Sequence, residues 1–146
     1  ILFFFNLCGV LYLGDSGSYV LSLLFGIFLI DFALTNSSIS PYFIILLFWY
    51  PCFELLFSMI RRVLKKSKTY KPDTAHFHQL IHKKIKKKLN GYNNLTIHFL
   101  TNSIINLYNL VCFVIALNFI YNSELLILII IVNIFSYIVF YKYLKK

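Results

Sequence analysis

The sequence predicts an all-α, polytopic transmembrane helical bundle, and three observations carry that prediction. Of its 146 residues, 60% are hydrophobic and 19% aromatic, with a mean hydropathy of +0.76. A water-soluble domain cannot bury so much apolar surface. Apolar stretches of about 20 residues, the length that crosses the hydrocarbon core at 1.5 Å per residue, recur four times. The charges are also segregated: eleven of the fourteen Lys and Arg lie between Arg61 and Asn90, against a single acid, Asp73.

The four spans are expected over about 17–34, 41–60, 99–120 and 124–141, with residues 1–7 as the tail of a fifth. All 146 residues then form part of one membrane-embedded domain. The chain begins at Ile1 and runs straight into Leu2-Phe3-Phe4-Phe5 with no positive region before it. That start reads as a cut through a membrane segment of a longer protein rather than as a signal peptide. Cys8, Cys52 and Cys112 are far apart and sit in or beside apolar stretches, so they read as small hydrophobes. Asn36-Ser37-Ser38 and Asn94-Leu95-Thr96 match the glycosylation pattern, but such short matches are too common to weigh.

Charge sets the expected orientation. Positive loops stay cytoplasmic, so residues 61–98 and the terminal Lys142, Lys145 and Lys146 face the cytoplasm. The connections Thr35–Ser40 and Tyr121–Glu124 carry no Lys or Arg and face the other side. By the same parity Gly14–Ser18 shares the face of the basic loop. Lysine-rich loops also attract anionic lipid, at about 1 kcal/mol per residue near the surface, so the charge alone does not mark a site. The loop has no nucleic-acid-binding motif, and nucleic acid is not expected as a partner.

Two polar islands interrupt the apolar chain at that face. In Gly14-Asp15-Ser16-Gly17-Ser18, the glycines permit a tight turn, and Ser16 or Ser18 is placed to cap a helix starting at Tyr19. Asp15 then lies at a positive helix end, where its carboxylate stays ionised and suits Mg²⁺ beside a phosphate. A plain capping turn accounts for the same residues. In Pro72-Asp73-Thr74-Ala75-His76-Phe77-His78, Pro72 reads as a stop and Asp73 as the cap of a helix from about Thr74 to Leu89, ended by Asn90-Gly91. Phe77, Leu80, Ile81, Ile85 and Leu89 form one stripe with five lysines largely elsewhere, an amphipathic helix suited to the membrane surface. His76 and His78 project from its first turn, where free N–H groups favour anions.

Other groups have narrower readings. His78 and His82 are four apart, but Gln79 stands where a zinc-protease helix needs Glu. Pro51 should kink the second span. Glu54 one turn later is either a functional acid within the membrane or the partner of an arginine in the adjoining loop. Asp31 lies near the far end of its span and is assigned no role.

With these residues in view, the chain resembles the C-terminal half of the polyprenyl-phosphate N-acetylhexosamine-1-phosphate transferases. The resemblance rests on Asn6, Leu13-Gly14-Asp15-Ser16-Gly17-Ser18, Pro51-Cys52-Phe53-Glu54, Arg61-Arg62 and Lys71-Pro72-Asp73-Thr74-Ala75-His76-Phe77-His78, in that order. It covers residues 1–90 by motif and the last two spans by topology. It implies transfer of a sugar phosphate from a UDP-N-acetylhexosamine to undecaprenyl or another polyprenyl phosphate, with Mg²⁺ or Mn²⁺ and release of UMP. It further implies a multi-pass protein of the bacterial inner membrane whose active face is cytoplasmic. On this resemblance Asp15 matches the acid associated with the metal, and His76 and His78 match the histidine motif that helps bind the nucleotide sugar. Ser16, Arg61, Arg62 and Asp73 are expected around the substrate.

Two departures stand out. The family loop commonly reads His-x-His-His, and Gln79 takes the last place here. The family's paired aspartates lie upstream of the matched region, so the chain alone is expected to be inactive. Two other classes compete: a non-enzymatic membrane protein docking anionic lipid or a partner through the basic loop, and a metal or anion transporter using Glu54 and the histidines. A transporter should show repeats or paired broken helices, and the sequence has none.

Overall fold

A computed structural model describes residues 5, 6, 8, 10, 14–64, 75–89 and 91–145. Among them are six helices and no strand: α1 Gly14–Thr35, α2 Pro41–Leu47, α3 Trp49–Leu64, α4 Phe77–Lys88, α5 Asn94–Leu117 and α6 Ser123–Lys145. α1, α5 and α6 are each long and apolar enough to cross a membrane, and α2 with α3 forms a pair bent by 72°. The chain is an all-α, multi-pass membrane protein, and all four expected spans fall on these helices.

The bend has a chemical cause. Pro51 lacks an N–H, and its ring clashes with the carbonyl four residues back, that of Leu47. The helix therefore breaks at Phe48, and Pro51 sits in the first turn of α3, where a missing donor costs little. Ser40 caps α2 with Pro41 at its first position, where the fixed φ of proline suits a helix start.

Hydrogen bonds at the two ends of α6 show that the bent pair crosses the bundle rather than turning back. Ser40 Oγ lies 2.8 Å from Ser123 Oγ, and Ser40 N–H donates to Ile120 O at 3.1 Å. At the far end of α3, Arg61 donates to the Tyr141 hydroxyl. Ser123 and Tyr141 are about 27 Å apart along α6 at 1.5 Å per residue. One end of the bundle thus gathers the connections that lack Lys and Arg and the other the basic ones, as the parity of the sequence requires.

In lipid, packing and interhelical hydrogen bonds hold helices together, because the tails are as apolar as the side chains. The core consists of Phe43, Leu46, Trp49, Ala116, Leu126, Tyr137 and Tyr141. Ala116 and Leu126 are wholly buried, and the small Ala116 lets helices approach closely. Between α5 and α6, Tyr108 donates to Asn133 Oδ1 at 2.6 Å and Cys112 Sγ donates to the same oxygen at 3.2 Å. α1 buries none of its side chains. Its second half and α2 line a cleft with Phe113 and Leu117 of α5, which sets α1 antiparallel to α2–α3 and parallel to α5.

Two expected helix starts are corrected. α1 begins at Gly14, so Asp15, Ser16 and Ser18 are helical rather than part of a turn before Tyr19. Gly14 itself has φ +69°, a conformation that favours glycine, and Ser18 Oγ donates back to its carbonyl at 2.7 Å. α4 begins at Phe77, not Thr74: Ala75 is non-helical and His76 is the extended cap residue. Asp73, the expected cap, lies outside the described residues. The stripe of α4 is also turned into protein, with Ile81 buried and Phe77 and Leu80 packed on the core. Gly91, at φ +111°, makes the turn into α5.

Candidate functional site

At the basic end of the bundle, three elements meet around a buried carboxylate. Glu54, on α3, is 8% exposed and accepts three hydrogen bonds. Its Oε1 lies 2.9 Å from His76 Nδ1 and accepts from Phe77 N–H at 3.0 Å. Its Oε2 accepts from the Tyr137 hydroxyl of α6. A buried carboxylate is tolerated only when paired and hydrogen-bonded, and here all three donors come from other elements.

The bond to Phe77 N–H explains why α4 starts where it does. His76 occupies the cap position with no side-chain cap bond, and the carboxylate of Glu54 takes over that duty from 23 residues away. A negative charge at a helix N-terminus is favoured by the orphan N–H groups and the helix dipole. Phe53, Phe57 and Phe77 pack on Tyr137, with ring centroids 5.0, 5.3 and 4.7 Å away, and shield the arrangement.

About two turns further along α3, Arg61 clamps the residues leading into α4. Its guanidinium donates to Ala75 O and to the Tyr141 hydroxyl, and it lies over the Tyr141 ring, 5.4 Å from its centroid. Tyr141 also donates to Ala75 O, at 3.1 Å. Of the two readings of Glu54, its observed partners are His76, Phe77 and Tyr137, while Arg61 engages Ala75 and Tyr141.

His78 is exposed in the first turn of α4, its ring 5.7 Å from that of His76 and nearly parallel. Arg62 is half-buried beside Arg61. Asp15 and Ser16 are exposed in the first turn of α1, at the same end as the histidines. Asp15 makes no hydrogen bond or ion pair among the described residues, so it is not joined to His76. As a lone exposed carboxylate it fits one ligand position of Mg²⁺, which takes one or two carboxylates and completes its shell with phosphate oxygens and water. No group of three or more His, Cys, Asp or Glu gathers among the described residues.

Tyr137 and Tyr141 were not singled out from sequence. Their spacing of four on an apolar helix puts two hydroxyls on one face, which is the signal that could have found them. Beyond this site, His82 and His98 bring α4 and α5 together, with ring centroids 4.5 Å apart. Burial lowers the pKa of His82, with His98, Lys86 and His78 adding to the effect.

Compared with protein-family profiles, curated proteins and solved structures, the chain matches none.

Proposed function

We propose that this chain is the C-terminal half of a phosphoglycosyl transferase of the bacterial inner membrane, moving N-acetylhexosamine-1-phosphate from a UDP-sugar to polyprenyl phosphate. The product would begin a lipid-linked cell-envelope glycan. The observation that carries the reading is the joining of Arg61 and His76 to one short segment, Ala75–Phe77, by way of Ala75 O and Glu54. A guanidinium, an imidazole and a helix start converge at the membrane edge, where a charged phosphate donor can meet a lipid-borne acceptor.

In the reaction, an oxygen of the acceptor phosphate attacks the β-phosphorus of the donor. The bond from that phosphorus to the bridging oxygen breaks, and UMP leaves with the electron pair. Positioning and stabilisation of negative charge do most of the work in such transfers. His76 and His78 would bind the diphosphate, and Arg61 and Arg62 would hold the loop and add positive potential. Ser16, Asp15 and Asp73 would complete the substrate surroundings. Mg²⁺ or Mn²⁺ at Asp15 would supply Lewis-acid polarisation of the phosphoryl oxygens.

The lipid-docking alternative asks for an amphipathic helix whose apolar stripe faces the membrane. It is weakened because Ile81, Phe77 and Leu80 are used against protein. The test is UMP release by the full-length protein in membranes supplied with UDP-N-acetylhexosamine, polyprenyl phosphate and Mg²⁺. Absence of sugar-phosphate transfer from every UDP-N-acetylhexosamine supplied would reject the reading.

A further inference from the structure

Glu54 is a buried structural acid whose contacts also dictate the chemistry of the histidine beside it. An ionised carboxylate can only accept hydrogen bonds. Its Oε1 already accepts from Phe77 N–H at 3.0 Å and lies 2.9 Å from His76 Nδ1. For that second contact to be a hydrogen bond, the proton must be on Nδ1. The Tyr137 hydroxyl donates to Oε2, so the carboxylate is held from both sides and cannot swing away without breaking the start of α4.

We propose that Glu54 is a positioning residue that locks His76 in its Nδ1–H tautomer, so that Nε2 is the nitrogen facing a phosphate substrate. There Nε2 accepts a proton from the substrate and donates to its oxygens once the ring carries both protons. The catalytic consequence rests on the transferase reading; the tautomer does not. The logic is that of any carboxylate–histidine pair, in which the buried acid fixes the ring and determines which nitrogen meets the substrate. Replacing the acid by leucine removes the acceptor at Nδ1, whereas the amide would keep one there, because its oxygen must still accept from Phe77 N–H at the same position.

Three features set this pair apart from an incidental ion pair. The acid is 8% exposed, so water does not compete for its oxygens. His76 precedes the first residue of α4, so the carboxylate fixes backbone and ring together. The Phe77 and Tyr137 rings, with centroids 4.7 Å apart, cover the carboxylate.

The experiment is ¹⁵N NMR of the full-length protein labelled at histidine, with His76 assigned from the His76→Gln spectrum. Neutral His76 should show a protonated Nδ1 and an unprotonated Nε2. In Glu54→Leu the populations should shift toward Nε2–H, and Glu54→Asp, which keeps the carboxylate, should hold the original tautomer in part. Tyr137→Phe removes only the Oε2 donor and should leave the tautomer as it was. A wild-type His76 that is mainly Nε2–H overturns the proposal, whether or not any variant folds. In the transfer assay, Glu54→Leu should lower kcat by up to about 10⁴-fold, the cost of losing the orienting carboxylate in a catalytic triad. KM for the UDP-sugar should change much less, and Glu54→Asp should recover part of the rate. The expected tautomer in a protein without transfer activity would sink the transferase reading and keep the pair. An active enzyme with the opposite tautomer would do the reverse.

Discussion

Ser40 Oγ lies 2.8 Å from Ser123 Oγ, joining the start of the bent pair α2–α3 to the start of α6. The contact closes the end of the bundle that lacks Lys and Arg, while Arg61 and Tyr141 close the basic end. A single polar pair thus fixes which ends of two spans share a membrane face. If that geometry holds, Ser40→Cys with Ser123→Cys should form a disulfide under mild oxidation, because side-chain tips this close bring the Cβ atoms near bonding range. With the three native cysteines replaced, cleavage between residues 64 and 77 should leave two fragments linked until reduction. Fragments that separate without reductant would argue that the starts of α2 and α6 do not lie side by side.

Orientation follows from the same frame and the charge distribution. Single cysteines at Ser37 and Lys86, in a background lacking native cysteines, should differ in intact cells treated with an impermeant thiol reagent. Ser37→Cys should label and Lys86→Cys should label only after permeabilisation, because basic segments stay cytoplasmic. The reverse pattern would invert the topology and remove the proposed site from the cytoplasmic nucleotide pool.

The spans were legible because length and apolarity decide them, and both are local. The ends were legible only where a local cap decides, as at Pro41 and Gly91. α4 was expected to start at Thr74 because Pro72-Asp73 has the chemistry of a local stop and cap. It starts at Phe77 because the effective acceptor is Glu54, on another helix, and no spacing rule connects residues 54 and 77. The candidate site divides the same way. Asp15, His76, His78 and the arginines are visible as motif residues, but the Glu54–His76 bond and the Tyr141 clamp arise only from the packing of α3 against α6.

Asn133 should matter more than its neutral side chain implies. Its Oδ1 accepts from Tyr108 and Cys112, and its buried Nδ2 has no hydrogen-bond partner. Interhelical hydrogen bonds in membranes average about 0.6 kcal/mol and reach about 1–2 kcal/mol. Asn133→Ala removes two such bonds and should destabilise by about 1–2 kcal/mol in a reversible detergent-unfolding titration. No measurable change would mean that packing alone holds α5 to α6.

The contact between His82 and His98 should make stability depend on acid. The folded pKa of His82 is lowered, first by burial and then by His98, Lys86 and His78, so folding favours the neutral ring. Stability from this group is complete above its ordinary value of about 6.5 and is lost as pH falls below that toward the folded pKa. The thermal midpoint should fall between pH 7.5 and pH 5. The midpoint of His82→Gln, which cannot take up a proton, should fall by less over the same range. Equal drops in both proteins would exclude His82 as the sensor.

The decisive variants concern Asp15 and His76 in the full-length protein. Asp15→Asn keeps size and hydrogen bonding but removes the charge that would hold Mg²⁺ beside the phosphates. His76→Ala deletes the imidazole yet leaves Glu54 with Phe77 N–H and the Tyr137 hydroxyl, so α4 keeps its start. If these groups act on the transition state, each change should lower polyprenyl-diphosphate-sugar formation by about 10²–10³-fold, the usual cost of one preorganised electrostatic contact. Abundance should change little for Asp15→Asn, because that side chain is exposed and unpaired. Lys86→Ala, exposed on α4 and away from the histidines of the site, serves as control and should retain most of the activity. Rates are read in membranes and normalised to protein level. Near wild-type turnover in both Asp15→Asn and His76→Ala would mean that the two islands only start helices, and lysine-dependent lipid docking would then explain the basic end better.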